Sequence, residues 1–160
     1  MLHINLICVG KIKEKYLKDA ISEYSKRLSK YCILNIIELS DEKVPENLNA
    51  SLQNIIIQKE SDKILSSMKP NSYNIALDLK GIELSSEEFS DTLNKIALNY
   101  NSNITFIIGG TLGMSYKLLQ SFDKLICFSK MTFPHQLIRV FLLEQLFRAF
   151  KIQNNETYHR

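Results

Sequence analysis

Ile107-Ile108-Gly109-Gly110-Thr111-Leu112-Gly113 and, further along, Phe128-Ser129-Lys130-Met131-Thr132-Phe133-Pro134-His135 decide how this chain is read. Each stretch follows a short apolar run and leads into a helical pattern, so each predicts a loop at the carboxyl end of a strand. In open α/β sheets that edge is where ligands bind. Two such loops this close together imply one crevice. The second would bring Ser129, Lys130, Thr132 and His135 to it.

Outward from these loops, strand and helix patterns alternate through the whole chain. Leu2–Val9 predicts a strand ending at Gly10, and residues 14–30 carry apolar side chains at helical spacing. Cys32–Leu39 predicts a second strand, 51–68 a weaker helix stopped by Pro70, and Tyr73–Leu79 a third strand closed by Gly81. Ser85, with Glu88 three residues on, reads as a capped helix start. Ile104–Ile108 and Lys124–Phe128 supply two further strands around a short helix at 115–121, and Pro134 suits the first turn of a last helix to about Lys151. This order predicts an α/β fold: a mainly parallel sheet flanked by helices on both faces.

The chain has 160 residues and 45% hydrophobic content, enough for one domain, residues 1–160, with a full core. Its formal charge of +3 is unevenly spread. Residues 1–30 and 101–160 each carry seven Lys/Arg against three Asp/Glu, and residues 31–100 carry six against eleven. Basic ends around an acidic middle suit a phosphate-rich partner if the ends meet in space; otherwise they form a scattered, solvated surface. Cys8, Cys32 and Cys127 are widely spaced within apolar runs and form no CxxC pair, so no metal site is expected. Buried reduced thiols, no signal pattern and no bilayer-length apolar run lead to the expectation of a cytoplasmic protein without a membrane partner. In the last helix, ten of the eighteen residues from Pro134 to Lys151 are apolar. Such a helix should be covered on more than one side, by a second subunit in a homodimer or by deep burial within one.

The glycine turn lacks the Gly-Lys-Ser/Thr of a P-loop, and its spacing is not the dinucleotide fingerprint. It is either a backbone cradle for a ligand or a tight structural turn. In the second loop, His135 would sit at the positive end of a helix, which lowers its pKa and leaves a neutral imidazole able to take a proton. Alternatively Thr132 merely caps the helix and His135 is solvated. The tail Glu156-Thr157-Tyr158-His159-Arg160 offers an aromatic, an imidazole and a guanidinium, suited to a base and a phosphate. A frayed end is its plain alternative.

The Gly-Gly-x-x-Gly turn, the run Phe128–His135, Arg139, Glu144-Gln145-x-x-Arg148-Ala149 and Tyr158-His159-Arg160 resemble the ribosomal large subunit methyltransferase H family, minimal members of the SPOUT (α/β-knot) superfamily. Val9-Gly10-Lys11-Ile12-Lys13-Glu14 and Asp41-Glu42-Lys43-x-Pro45-Glu46 match as well. The resemblance implies a homodimer with a C-terminal trefoil knot and S-adenosylmethionine as cofactor. It further implies methylation of N3 of a pseudouridine in the decoding-centre stem-loop of 23S rRNA, on assembled ribosomes. By resemblance, Leu77, Gly109, Phe128, Ser129, Lys130, Met131, Thr132 and Phe133 hold the cofactor. His135 or His159 is expected to assist deprotonation, Arg139 and Arg160 to handle charge or phosphate, and Tyr158 to position the base. Lys11, Lys13 and Arg160 are the expected RNA contacts. A non-catalytic RNA-binding or assembly factor, and a nucleotide-dependent enzyme on a flavodoxin-like sheet, are the competing readings.

Overall fold

The computed structural model describes residues 1–159, so Arg160 lies outside the described residues. Ten elements follow in order: β1 (Leu2–Val9), α1 (Lys15–Leu28), β2 (Cys32–Leu39), α2 (Ala50–Ser67), β3 (Tyr73–Glu83), α3 (Ser86–Asn99), β4 (Asn103–Ile108), α4 (Tyr116–Gln120), β5 (Lys124–Cys127) and α5 (His135–Gln153). The strands make one sheet in the order β2-β1-β4-β3-β5. Every pairing is parallel, so all the strand carboxyl ends share one edge.

The alternation of side chains along each strand divides the core in two. Ile4, Leu6 and Cys8 of β1 and Phe106 of β4 face α1, α3 and α5. Ile7 and Val9 of β1 and Ile107 of β4 face α2 and α4. The expected helices on both faces are therefore present. Helix α3 starts with the capping box read from the sequence: Ser85 accepts from the Glu88 amide, and Glu88 accepts from the Ser85 amide. Helix α5 packs between α1 and α3, burying Leu142, Leu143, Leu146, Phe147, Ala149 and Phe150. Most of its apolar girth is thus covered inside the subunit. Leu79, Ile82, Met131 and Phe141 remain exposed around its first half.

Two boundaries differ from the sequence reading. Pro134 is the N-cap residue, with ψ at 131°, and His135 is the first helical residue; no side chain caps this helix, so Thr132 does not. More consequential is β3, which does not close at Gly81 but continues to Glu83. Its pairing with β5 jumps: Leu77 and Ile82 both lie opposite Ile126, and residues 78–81 bulge out between them. In the bulge Asp78 accepts from the Lys80 amide, the short-range bond that makes the stretch read as a turn. A Cβ on Gly81 would stand 2.5 Å from the backbone of Ile126. Glycine is required here because the backbone of β5 runs directly against it. The strand order is consistent with the knotted winding that the resemblance implies.

Candidate active site

At the carboxyl edge, β3, β4, β5 and the start of α5 enclose a cleft of about 770 Å³. That is large enough for a nucleoside-sized ligand. Leu77 closes one wall and Gly109 another, and Phe128, Ser129, Met131, Thr132 and Phe133 form the loop across it. His135 stands on its rim. Seven of the eight expected cofactor residues therefore converge; Lys130 is exposed and outside the lining.

Local chemistry shapes both loops. Gly113 sits at φ +82° and its amide donates to the Gly110 carbonyl, which folds the glycine turn back on itself. A Cβ on Gly109 would come within 2.9 Å of Met114 Cγ, and one on Gly110 within 2.7 Å of Glu60 Oε1. A side chain at either position would press on Met114 or on the carboxylate end of Glu60, which would have to shift to admit it. In the second loop the Ser129 hydroxyl accepts from the Met131 amide at 3.0 Å, and the Cys127 thiol donates to the Ser129 carbonyl. Ser129 therefore holds its own loop in shape while lining the site. Sequence reasoning passed over Leu79 and Lys80 of the bulge, along with Met114 and Cys127, all of which line the cleft together with Asp78. The bulge left no local signal because it appears only in the register shift of β3 against β5.

His135 is half-buried. Burial first, and then the Arg139 guanidinium, hold its imidazole below the ordinary value, while Asp41 pulls the other way. A neutral ring therefore prevails near pH 7, as expected for a proton acceptor. Arg139 itself does not reach the cleft. It is 1% exposed, with Nη1 donating to Glu38 at 2.7 Å and Nη2 to the carbonyls of Gly10 at 2.7 Å and Val9 at 3.3 Å. The side chain expected to handle charge or phosphate lies here as a buried tie between α5 and the ends of β1 and β2. Lys11 and Lys13 are exposed on the loop so tied.

The tail is packed through His159. Tyr158 meets Phe147 edge-on at 5.0 Å, lies under the Arg148 guanidinium at 4.7 Å, and its hydroxyl donates to Glu144. His159 joins Arg148 through Nδ1 at 3.2 Å and Glu87 through Nε2 at 2.7 Å. Because arginine can only donate, Nδ1 accepts and Nε2 carries the hydrogen given to Glu87. Both nitrogens of His159 are occupied, in contrast to those of His135. Arg148, Glu144 and Glu87 were not singled out as site residues from the sequence, although Arg148 and Glu144 lie within a quoted motif.

The cysteines are free and buried, and burial pushes Cys8 up to about 12 and Cys32 to about 11, so neither is a nucleophile. Among the described residues no group of three or more His, Cys, Asp or Glu is placed to hold a metal. No described helix is long and apolar enough to cross a membrane.

Comparison with known proteins bears on this arrangement. Residues 2–159 match the family model described as "Predicted SPOUT methyltransferase". The chain belongs to the SPOUT methyltransferase family. Ribosomal RNA large subunit methyltransferase H of Clostridium acetobutylicum is 57% identical to it, over 99% of this chain and all of that protein. The methyltransferase H of Clostridium kluyveri is 55% identical over the same shares. A probable methylase family protein from Haemophilus influenzae Rd KW20 shares the fold, with a TM-score of 0.53 at 15% identity, covering 99% of this chain and 70% of that one. In this chain the glycine turn and the loop from Phe128 to Phe133 frame a cleft with His135 on its rim.

Proposed function

We propose that this single SPOUT-type domain, residues 1–160, is an S-adenosylmethionine-dependent methyltransferase of the cytoplasm. Its target is N3 of a pseudouridine in the decoding-centre stem-loop of 23S rRNA, in assembled ribosomes. The observation that carries the reading is the cleft itself, in a chain similar from end to end to rRNA large subunit methyltransferases. Its walls fit the cofactor: Leu77, Ile108, Ile126, Phe128 and Phe133 offer an apolar slot for an adenine, and the turn at Gly109 offers backbone to its polar ends. Bound there, S-adenosylmethionine supplies an electrophilic methyl group.

The protein's own task is to manage a proton and a charge. N3–H of a pseudouridine is a weak acid, and the proton must leave as the nitrogen gains its methyl. His135 takes that proton, because its ring is neutral and no hydrogen bond from another described residue occupies it. Lys11 and Lys13 hold phosphates beside it. His159, bonded at both nitrogens, positions rather than deprotonates, with Tyr158 and Arg160 holding the base.

The tail requires a second subunit. Arg148, where the tail docks, lies about 20 Å along α5 from His135 at 1.5 Å per residue. A tail docked in this way cannot serve the His135 end of its own cleft, so it serves the partner's in a homodimer. The exposed Leu79, Ile82, Met131 and Phe141 would then be covered by the other chain.

Mass spectrometry of 23S rRNA from cells lacking the gene tests the reaction. One pseudouridine should lose its N3 methyl, and rRNA that keeps every methyl would overturn the assignment. For the shared site, mixed dimers pairing a His135→Ala chain with a tail-truncated chain should regain activity; failure of every mixture rules it out.

A further inference from the structure

We infer that the buried Arg139 and the partly exposed Glu38 form a clamp that presents the Gly10–Lys13 loop to RNA beside His135, making both of them positioning residues. The inference rests on the reading of the chain as an rRNA methyltransferase. Its basis is a closed set of contacts among three elements. A single oxygen, Glu38 Oε2, accepts from Arg139 Nη1 at 2.7 Å and from the Ile12 amide at 2.9 Å. Nη2 of the same guanidinium donates to Gly10 and Val9, and the Gly10 amide donates to the Leu39 carbonyl. Helix α5, the end of β2 and the turn after β1 are therefore locked to one another through two side chains.

The geometry of the loop gives this lock a use. Gly10 stands at φ +95°, which turns the chain sharply out of β1. A Cβ there would lie 3.8 Å from His135 Nε2 and 3.9 Å from Arg139 Nη2, so the turn passes directly beside the imidazole. Ile12 buries its side chain to 8% exposure while its amide is held by Glu38. Lys11 and Lys13, flanking that anchor, are both exposed. Two ammonium groups are thus carried on a rigid loop at the mouth of the cleft. Preorganised in this way, they lose less freedom on meeting phosphate. The ion pair is unsuited to act on substrate directly, since the guanidinium is sealed from solvent. Arg139 also sets part of the field on His135, which Asp41 opposes from the loop after β2.

Arg139→Lys and Glu38→Gln test the clamp. A lysine keeps the charge but cannot span Glu38 and two carbonyls at once. Glu38→Gln keeps an acceptor for Ile12 but removes the ion pair, and Glu38 is exposed enough for this variant to fold if the first does not. In both variants, amide exchange at residues 10–13 should quicken about tenfold or more, the opening expected when a local tie is cut. KM for large ribosomal subunits from a strain lacking the gene should rise about tenfold, with S-adenosylmethionine affinity by calorimetry unchanged. Lys11→Ala with Lys13→Ala should raise KM similarly, and adding Glu38→Gln to that pair should raise it little further. Unchanged exchange at Ile12 in both variants overturns the clamp. Full additivity of the KM effects overturns its role in RNA presentation. If no ribosomal substrate is methylated by the native protein, the function has failed, while the exchange data still decide the clamp.

Discussion

The two ends of α5 each pair a histidine with an arginine and use them in opposite ways. At the amino end Arg139 is buried with both terminal nitrogens bonded to Glu38, Gly10 and Val9 and its Nε without a partner among the described residues, while no described residue occupies His135 on the rim of the cleft. At the carboxyl end Arg148 keeps a quarter of its side chain exposed and occupies His159 with a hydrogen bond, while Glu87 occupies the other nitrogen. Burial decides the difference. A sealed guanidinium must find all its partners among protein groups and becomes scaffold, whereas a wet one can join a side-chain network on the surface. The first arrangement leaves a histidine able to accept a proton; the second makes one that holds a tail in place.

The largest contrast should appear in stability. Arg139→Gln strands a carboxylate and two carbonyls, and should cost about 3 kcal/mol, the lower end for breaking a buried pair because Glu38 keeps some water. Arg148→Gln loosens a partly solvated network and should cost about 1 kcal/mol. Urea unfolding of the two variants measures both; equal losses would erase the distinction.

Catalysis sharpens it next. His135→Ala should lower single-turnover methylation about a hundredfold, the usual weight of a general base. His159→Ala should act mainly on KM, since that ring positions rather than accepts. Matching falls in kcat would put both histidines in one role.

A smaller effect is expected for Tyr158→Ala, which removes an edge-on aromatic contact and should cost about 1 kcal/mol. Cofactor affinity by calorimetry should not move, because Tyr158 is not among the residues that line the cleft of its own chain. A loss of that affinity would place the tail at the cofactor.

The smallest contrast is in pH dependence, and the two ends should differ in window. The folded value of His135 lies below its unfolded value, so the unfolded chain takes up the proton first. Stability therefore falls as pH drops below the ordinary imidazole value of about 6.5. His135→Gln should flatten that part of the curve. Glu87 is held below the usual carboxylate range, first by its bond to His159. Its contribution is present above about pH 4.3 and lost as pH falls further. Urea titrations across pH 3 to 8 separate the windows, and an unchanged slope near pH 6 in His135→Gln would remove that histidine from the acid response.

Much of this was legible in the residues. The five strands, the alternation that covers both faces of the sheet, the Ser85–Glu88 capping box and the two loops are local patterns, and the structure keeps them. The glycine turn and the loop from Phe128 to Phe133 do meet in one cleft. What misled was local evidence standing for a distant cause. Asp78-Leu79-Lys80-Gly81 carries turn chemistry, yet it is a bulge within β3, because β3 resumes its pairing with β5 beyond it and the Ile126 backbone leaves room only for hydrogen at Gly81. Arg139 matched a motif and read as a substrate contact, but its partner Glu38 lies 101 residues away. The apolar girth of α5 read as cover by a second subunit or as deep burial within one, and α1 and α3 cover most of it inside the subunit.

By itself the sequence determined the order of elements, the parallel α/β class and the position of the two loops, because periodicity, caps and turn residues act over a few positions; the family came from the resemblance of its motifs. Only the tertiary structure decided which histidine is open, why Arg139 is scaffold, where the tail docks and why Gly81 must be glycine. Those depend on which distant segments meet, and that is set by the pairing of β3 with β5 and the seating of α5, not by any neighbour along the chain.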